Sequence, residues 1–486
     1  MRSSPNRWRP WVQLLKLAVS RDLKKTKTMC LVGHAQLRMR TPQGWPKHEG
    51  QSSPNAGCTL YQKVIWPRKL QLGKTRRHNG GGGICENTAK PMGSCVNTML
   101  RGSVAIVGVG ETEVGALHGQ GSTEICAEAA RRALLDAGLE KADIDGLVTC
   151  NPWVEPHLYH AEMFSEYMQI FPQFCMTLNA GGATTLTAVL RAASAIVTGV
   201  CNTVLITHGD NPRTGMTPAQ TGAKMTTTMH PQFELPYGVP LTNGYGMAAR
   251  AHMHEFGTTS EQFAQVAVSA RKHASLNPGA EKREPITIED VLNSPLVADP
   301  LHALDCSLWS DGGGAIIVVA AERAHDFPHR PVFFLGCGEG HWHEHLFQAR
   351  SLTTTAASES GPRAFAMAGL TPQDIDFAQV YDCFTPVTIM ELEDLGFCAK
   401  GEGGSFIENG NIELGGALPV NTHGGLLSHS HTGHPGAMFA LTEAVTQLRG
   451  VADTRQVEEA NVGLVHGQGG VLSSHATLIL GTEATL

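Results

Sequence analysis

Chemistry in this sequence concentrates in the stretch NTHGGLLSHSHTGHPGA, residues 421–437. It carries four imidazoles, those of His423, His429, His431 and His434. Imidazole titrates nearest to neutral pH and so serves as a general acid or base. Gly433-His434-Pro435 stands just before a helical run. Proline suits the first turn of a helix, where its missing N–H costs nothing. The N–H groups that follow, from Gly436 on, would be free to face a ligand. His434 would then sit on rigid scaffold at the mouth of a site. A glycine-rich turn with surface histidines is the alternative.

Other clusters say less. His341-x-His343-x-His345 would place three imidazoles on one strand face, where a metal could bind. No Cys or carboxylate spacing completes the set, and no metal is expected. Gly108-x-Gly110 lacks the third glycine of a dinucleotide site and reads as a bare turn. The twelve cysteines are scattered without CxxC pairs, which suits a reducing compartment.

Composition narrows the class. Charged residues are 17% and hydrophobic residues 42% of the 486, a balance that fits a globular enzyme with much buried surface. No apolar run approaches the roughly 18–20 residues of a membrane helix. The net charge of −7 conceals an asymmetry: residues 1–98 hold 18 Lys+Arg against 3 Asp+Glu, and the rest is acidic. That basic segment is broken by Pro and Gly and shows no sustained periodicity. A polyanion-binding arm, a transit sequence and translated sequence upstream of a natural start at Met99 all remain open. The abrupt onset of pattern at Ser103 favours the last, with residues 1–98 disordered.

The elements that must position the histidines begin there. Val104–Glu111 reads as a buried strand, Ser122–Ala137 as a helix capped by Ser122 or Thr123 and ended by Gly138, and Ile144–Thr149 as the next strand. Such alternation implies an α/β fold with helices on the faces of a parallel or mixed sheet. The opening recurs: VFFLGCGE at 332 parallels VAIVGVGE at 104, and AGLTPQDID at 368 parallels AGLEKADID at 137. Two matches at nearly one offset argue for an internal duplication, with a boundary near residues 325–331. The halves are then 99–330, with an insert at about 210–300, and 331–486. Within the insert, Ala248–Phe256 and Ser260–Leu276 read as helices. Each half also has a glycine turn leading into a small-residue helix, Thr184–Val197 and Ala437–Leu448. Two such helices meeting N-terminus to N-terminus would build a site between the halves.

The order of motifs resembles the thiolase superfamily, most closely sterol-carrier-protein-type thiolases and lipid-transfer-type aldolases. The motifs are ARAHMHEFGTT from Ala248, WSDGGG from Trp309, YDCF from Tyr381, NTHGG from Asn421, GHP from Gly433 and HGQGG from His466. The resemblance covers residues 103–481. It implies a duplicated five-layered α/β/α/β/α fold with an inserted loop domain, usually dimeric. It further implies acyl-coenzyme A as substrate, no bound cofactor, and chemistry next to a thioester carbonyl.

Two departures stand out. The position of the family's nucleophilic cysteine, at the N-terminus of the first-half helix, falls on Gly182. Cys175 lies seven residues upstream, ~23 Å away along a strand, and reads as a buried packing residue. Tyr381 replaces the histidine of the His-Asp-Cys-Phe motif. Covalent acyl transfer is thereby disabled, whereas retro-aldol cleavage of a β-hydroxyacyl-CoA needs no acyl-enzyme. Tyr381 would serve as base or proton shuttle, Cys383 would protonate the α-carbon, and His434 would bind the enolate oxygen. His466 joins the candidate catalytic residues; Gly181, Gly182, Asp382, Asn421, His423 and Gly436 are candidate substrate contacts. An acyltransferase with a displaced nucleophile and a non-catalytic acyl-CoA or lipid carrier are the alternatives. Lipid-transfer-type aldolases often work with a small partner built on an oligonucleotide/oligosaccharide-binding-type barrel. A cytoplasmic homodimer without nucleic-acid or membrane binding completes the expectation.

Overall fold

A computed structural model describes residues 98–486, apart from Val239, Pro240 and Pro435. The expectations for the basic segment, and for Pro435 as a first-turn residue, lie outside the described residues. The first half runs β1 (Val104–Glu111), α1 (Ser122–Ala137), β2 (Gly146–Cys150), α2 (His160–Met168), β3 (Phe174–Leu178), α3 (Thr184–Val197) and β4 (Thr203–Asp210). The insert contributes α4 (Leu241–Phe256), α5 (Ser260–Leu276) and a ribbon of β5 (Leu296–Ala298) with β6 (Leu301–His302). β7 (Gly312–Ala320) returns to the sheet. The second half follows as β8 (Val332–His341), α6 (Ala357–Ala368), β9 (Phe377–Gln379), α7 (Thr385–Asp394), α8 (Gly436–Arg449), β10 (Val462–Gly469) and β11 (Ser474–Gly481).

The strand order β3-β2-β4-β7-β1-β8-β11-β10-β9 carries the duplication. Moving outward from the centre, β8, β11, β10 and β9 repeat the places of β1, β7, β4 and β2. Directions repeat too: β1–β7 and β8–β11 are antiparallel, and β4–β2 and β10–β9 are parallel. Among the described residues the two sub-sheets pair at Ala105↔Phe333 and Ile106↔Val332. Helix α1 packs on first-half strands and α6 on second-half strands, whereas α3 and α8 touch strands of both halves and each other. That gives the five layers α/β/α/β/α, with α3 and α8 in the middle. A helix covered on every side must be apolar or small all round, as the TTLTAVLRAASAIV of α3 is.

The paired glycines of the two openings now have a physical reason. They are strand residues, not the turn read from sequence. A Cβ at Gly108 or Gly110 would stand 2.7 Å from the carbonyl oxygen of Ala133 and 2.5 Å from that of Ala129, both on α1. At Gly336 and Gly338 the same atom would meet α6 at 2.3 and 2.1 Å. Glycine lets each outer helix lie directly on its strand.

Two boundaries differ from expectation. Ser122 is the first residue of α1 rather than its cap, and its hydroxyl bonds instead to Asp210 and Asn211. Helix α4 starts at Leu241, seven residues before Ala248, through the helix-disfavouring Gly244 and Gly246. Both glycines serve close packing. A Cβ on Gly244 would lie 3.1 Å from Leu346 and Val471, and one on Gly246 3.0 Å from the carbonyl of Asp299. Tertiary contact outweighs propensity here.

Candidate active site between the two halves

A cavity of about 420 Å³ opens where α3 and α8 begin, roofed by residues of the insert. Gly181, Gly182, Tyr381, Cys383, His431 and His434 line it, with Trp153, Tyr245, Trp309 and Gln468. Among the described residues that line it there is no Lys, Arg, Asp or Glu. Such a chamber suits the uncharged thioester end of a substrate, where low polarity strengthens each hydrogen bond that is made.

Tyr381 follows β9, and its ring fills the space beside Gly182. A Cβ on Gly182 would fall 2.2 Å from Tyr381 Cζ and 2.4 Å from the Gln468 carbonyl oxygen. The glycine thus leaves room for the tyrosine rather than for substrate. The phenol hydrogen-bonds His431 Nε2 at 3.1 Å, and His431 Nδ1 meets Ser307 Oγ at 2.7 Å. Burial pushes the Tyr381 phenol well above its ordinary value and His431 down to about 4. Both groups are therefore neutral near pH 7. A neutral imidazole has one N–H and one lone pair; in the tautomer with the lone pair on Nε2, the phenol donates to Nε2 and Nδ1–H donates to Ser307. A neutral phenol touching a neutral imidazole can relay a proton between them. Gly436 keeps this contact open, since a Cβ there would be 3.1 Å from the Tyr381 hydroxyl. Its own N–H donates to Gly433 and faces no ligand.

Cys383 stands on the same wall, its Sγ 3.5 Å from Gln468 Oε1. Burial raises its thiol well above the usual value, so it holds a proton rather than a negative charge. Tyr245 donates to the Gly470 carbonyl at 2.6 Å and receives Gln468 Nε2 at 3.1 Å, which fixes the glutamine facing the thiol.

His434 reaches the cavity, but both ring nitrogens are engaged. Trp153 Nε1–H, a donor only, bonds Nε2 at 2.5 Å, and Nδ1 faces the Asn151 carbonyl at 3.3 Å. In this arrangement His434 offers no donor to an enolate oxygen. The indole would have to leave first.

Four sequence candidates hold the site from behind instead of lining it. Asp382 is fully buried and accepts Leu426 N at 2.7 Å and Leu427 N at 3.4 Å. Its carboxyl is raised to about 7 by burial. Asn421, with φ of 54°, accepts Val380 N at 2.8 Å. His423 pairs with Gln379 Oε1 at 3.1 Å. His466 bonds Thr477 on β11 and His475, each at 2.9 Å, and stands outside the cavity lining. The first three tie the 421–437 loop to the strand end that bears Tyr381. Asp382→Ala should therefore lower stability by roughly 2–4 kcal/mol, since two buried N–H groups lose their acceptor. Chemical denaturation with unchanged m-value would show it.

The alternating His341, His343 and His345 do not converge: their rings bond Ser474, the Val471 carbonyl and the Thr228 carbonyl respectively. Cys175 is half-buried at the sheet edge, with its thiol raised to about 11. Sequence reasoning did not single out His431, Ser307, Trp153, Tyr245 or Gln468. No periodic signal marked His431: a strand would put it on the same face as His429. In the fold Gly425–His429 is a helical turn, His429 packs against Phe439, and His431 enters the cavity.

Five layers with a cavity at the N-termini of two pseudo-equivalent central helices define a thiolase-fold protein. The family model described as thiolase C-terminal domain-like matches residues 338–482. A steroid side-chain-cleaving aldolase of Thermomonospora curvata is 38% identical over 400 residues, covering 79% of this chain and all of that protein. The 17-hydroxy-3-oxo-4-pregnene-20-carboxyl-CoA lyase of Mycobacterium tuberculosis is 38% identical over 368 residues, 73% of this chain and 93% of that one. Among solved structures, an Ltp2-ChsH2(DUF35) aldolase superposes with TM-score 0.71 at 37% identity over 79% of this chain and 99% of that one. This chain belongs to the thiolase superfamily and is an enzyme of it, with steroid side-chain-cleaving aldolases among its homologues.

Proposed function

We propose that the protein is an acyl-CoA lyase that cleaves the steroid side chain by a retro-aldol reaction, without a covalent intermediate. The observation that carries this reading is the Tyr381 ring standing where a nucleophilic cysteine side chain on residue 182 would have to be. The substrate is a β-hydroxyacyl-CoA with the hydroxyl on a steroid ring carbon, the chemistry named for the mycobacterial relative. Tyr381 takes the β-hydroxyl proton while passing its own to His431 Nε2. The Cα–Cβ bond breaks, the β-carbon becomes a ketone, and its electron pair moves into the thioester enolate. Cys383 delivers a proton to Cα, and the His431 proton returns through Tyr381 to the thiolate. The proton count closes with no acyl-enzyme.

Coenzyme A enters as part of the substrate. A small partner with an oligonucleotide/oligosaccharide-binding-type barrel agrees with the two-component name of the solved neighbour. A homodimer would use β3, which pairs only with β2 at the end of the sheet and is half-exposed along its length. Among the described residues no helix is long and apolar enough to cross a membrane, and all eight described cysteines are free thiols. Both suit the cytoplasm.

The test is mass spectrometry of 17-hydroxy-3-oxo-4-pregnene-20-carboxyl-CoA incubated with the full chain, alone and with its partner. A 17-keto steroid, propionyl-CoA and unmodified protein support the proposal; an acylated protein overturns it. The pH profile supplies a second check. Protonated His431 has no lone pair on Nε2 to accept the Tyr381 proton, so activity is lost as pH falls through about 4. An unperturbed imidazole would lose it near 6.5. With the phenol raised, kcat should stay flat from pH 5.5 to 9.

A further inference from the structure

A second cavity, of about 400 Å³, adjoins the catalytic one, and both are walled by Thr228, Leu241 and Gly470. It lies between the start of α4, the preceding insert segment and the loop that follows β8. Met229, Phe233, Tyr237, Met247, Leu346 and Phe347 supply its apolar surface. Phe233, His230 and Phe347 pack on one another with ring centroids 4.9–5.2 Å apart, so this wall is pre-formed. Glu234 accepts the N–H groups of His230 at 2.8 Å and Phe347 at 3.1 Å, tying the insert to the loop after β8.

The lining tells what it would hold. Its charged members among the described residues are two carboxylates, Glu234 and Glu344, with no Lys or Arg. The phosphates of coenzyme A are repelled by such a wall, whereas an uncharged hydrocarbon body is attracted by its aromatic and thioether groups. Size points the same way. The catalytic cavity must take the thioester and the reacting carbons, and at about 420 Å³ it has little space for a fused-ring body as well. The two volumes together fall within the roughly 300–1,000 Å³ of ligand sites, towards the upper end.

We infer that this second cavity is the subsite for the polycyclic hydrocarbon body of the substrate, entered past Leu241 from the catalytic chamber. The inference rests on the retro-aldol reading for which bond is cut, and on the cavity's own chemistry for what sits there. Leu241 and Met247 then set which substrates fit. Tyr237, 78% exposed, stands at the outer rim, where the far ring would emerge.

Two measurements on the full chain test it. In the first, androst-4-ene-3,17-dione is titrated into wild type, Leu241→Trp and Met247→Trp, and binding is followed by calorimetry. One-to-one binding that weakens at least 10-fold in both variants is expected; equal affinity in all three proteins overturns the subsite. In the second, kcat/KM is compared for a steroidal β-hydroxyacyl-CoA and for 3-hydroxybutyryl-CoA, with the partner protein present. Met247→Trp, which touches the second cavity alone, should reduce the steroidal ester more than 30-fold and the short ester less than 3-fold. A uniform fall would mean that the wall is structural, and binding of a partner protein over Phe233 and Tyr237 that excludes the steroid would equally refute the assignment. The two hypotheses separate cleanly. Steroid binding lost in the variants without any wild-type cleavage removes the lyase and leaves the subsite; cleavage indifferent to both tryptophans removes the subsite and leaves the lyase.

Discussion

Tyr381→Phe should reduce kcat for side-chain cleavage by about 10³-fold or more while leaving the melting temperature within a few degrees of wild type. The substitution removes one oxygen. The ring that fills the space against Gly182 stays, so packing changes little. What is lost is the atom that lies 3.1 Å from His431 Nε2 and that, in the proposed reaction, takes the proton of the substrate hydroxyl. Positioned acid–base groups contribute about 10²–10⁴-fold, and here the same oxygen accepts one proton and releases another, which argues for the upper part of that range. A kcat loss with KM nearly unchanged would identify an interaction made in the transition state. His431→Gln should give a smaller loss, because the phenol would keep a hydrogen-bond partner without a strong proton acceptor. If Tyr381→Phe cleaves at the wild-type rate, the proposed base is wrong.

Gly182→Cys puts back the family's nucleophile at its own position and should nevertheless give an enzyme that neither cleaves nor becomes acylated. The new Cβ would lie 2.2 Å from Tyr381 Cζ and 2.4 Å from the carbonyl oxygen of Gln468. One of these is a ring held on a strand end, the other is backbone, and neither gives way cheaply. Overpacking of this kind costs about 1–3 kcal/mol and displaces the phenol from His431. Cleavage should fall at least 100-fold and the denaturation midpoint should drop. Adding Tyr381→His removes the ring clash but not the carbonyl one, so the double variant should recover part of the lost stability. A Gly182→Cys protein of wild-type stability and activity would show that the ring and the cysteine are compatible, and the retro-aldol argument would lose its main support. Intact-protein mass spectrometry after exposure to acyl-CoA reads the acylation directly.

The two substitutions belong together physically. Loss of the cysteine and gain of the tyrosine look like separate departures in sequence, nearly 200 residues apart. In the fold they occupy one volume. The bare Cα of Gly182 is what admits the Tyr381 ring.

Much was legible from sequence because it is local. Strand and helix periodicities placed α1, α3 and α5 to the residue. The repeated openings disclosed a duplication that the strand order carries through both halves. The order of short motifs pointed to the superfamily, and Gly182 and Tyr381 were visible as exceptions within it. All of this depends on spacing along the chain, which composition and pattern record directly.

The fate of individual side chains does not. His423, His429, His431 and His434 have the same chemistry within one stretch, yet one ties the loop to Gln379, one packs on Phe439, one serves the phenol and one is capped by an indole. Positive φ angles at Asn421, Gly424, Gly425 and Gly433 turn this loop several times, so no simple periodicity predicts where its residues aim. Asp382 is similar. It neighbours two cavity residues, but a strand end sends alternate side chains to opposite sides, and its carboxylate goes to the loop behind. Sequence by itself determined the architecture and the glycine at position 182 where the family's cysteine would stand. Only the tertiary structure decided which imidazole meets Tyr381, because that choice is made by contacts between elements far apart in the chain, and burial then keeps both partners neutral.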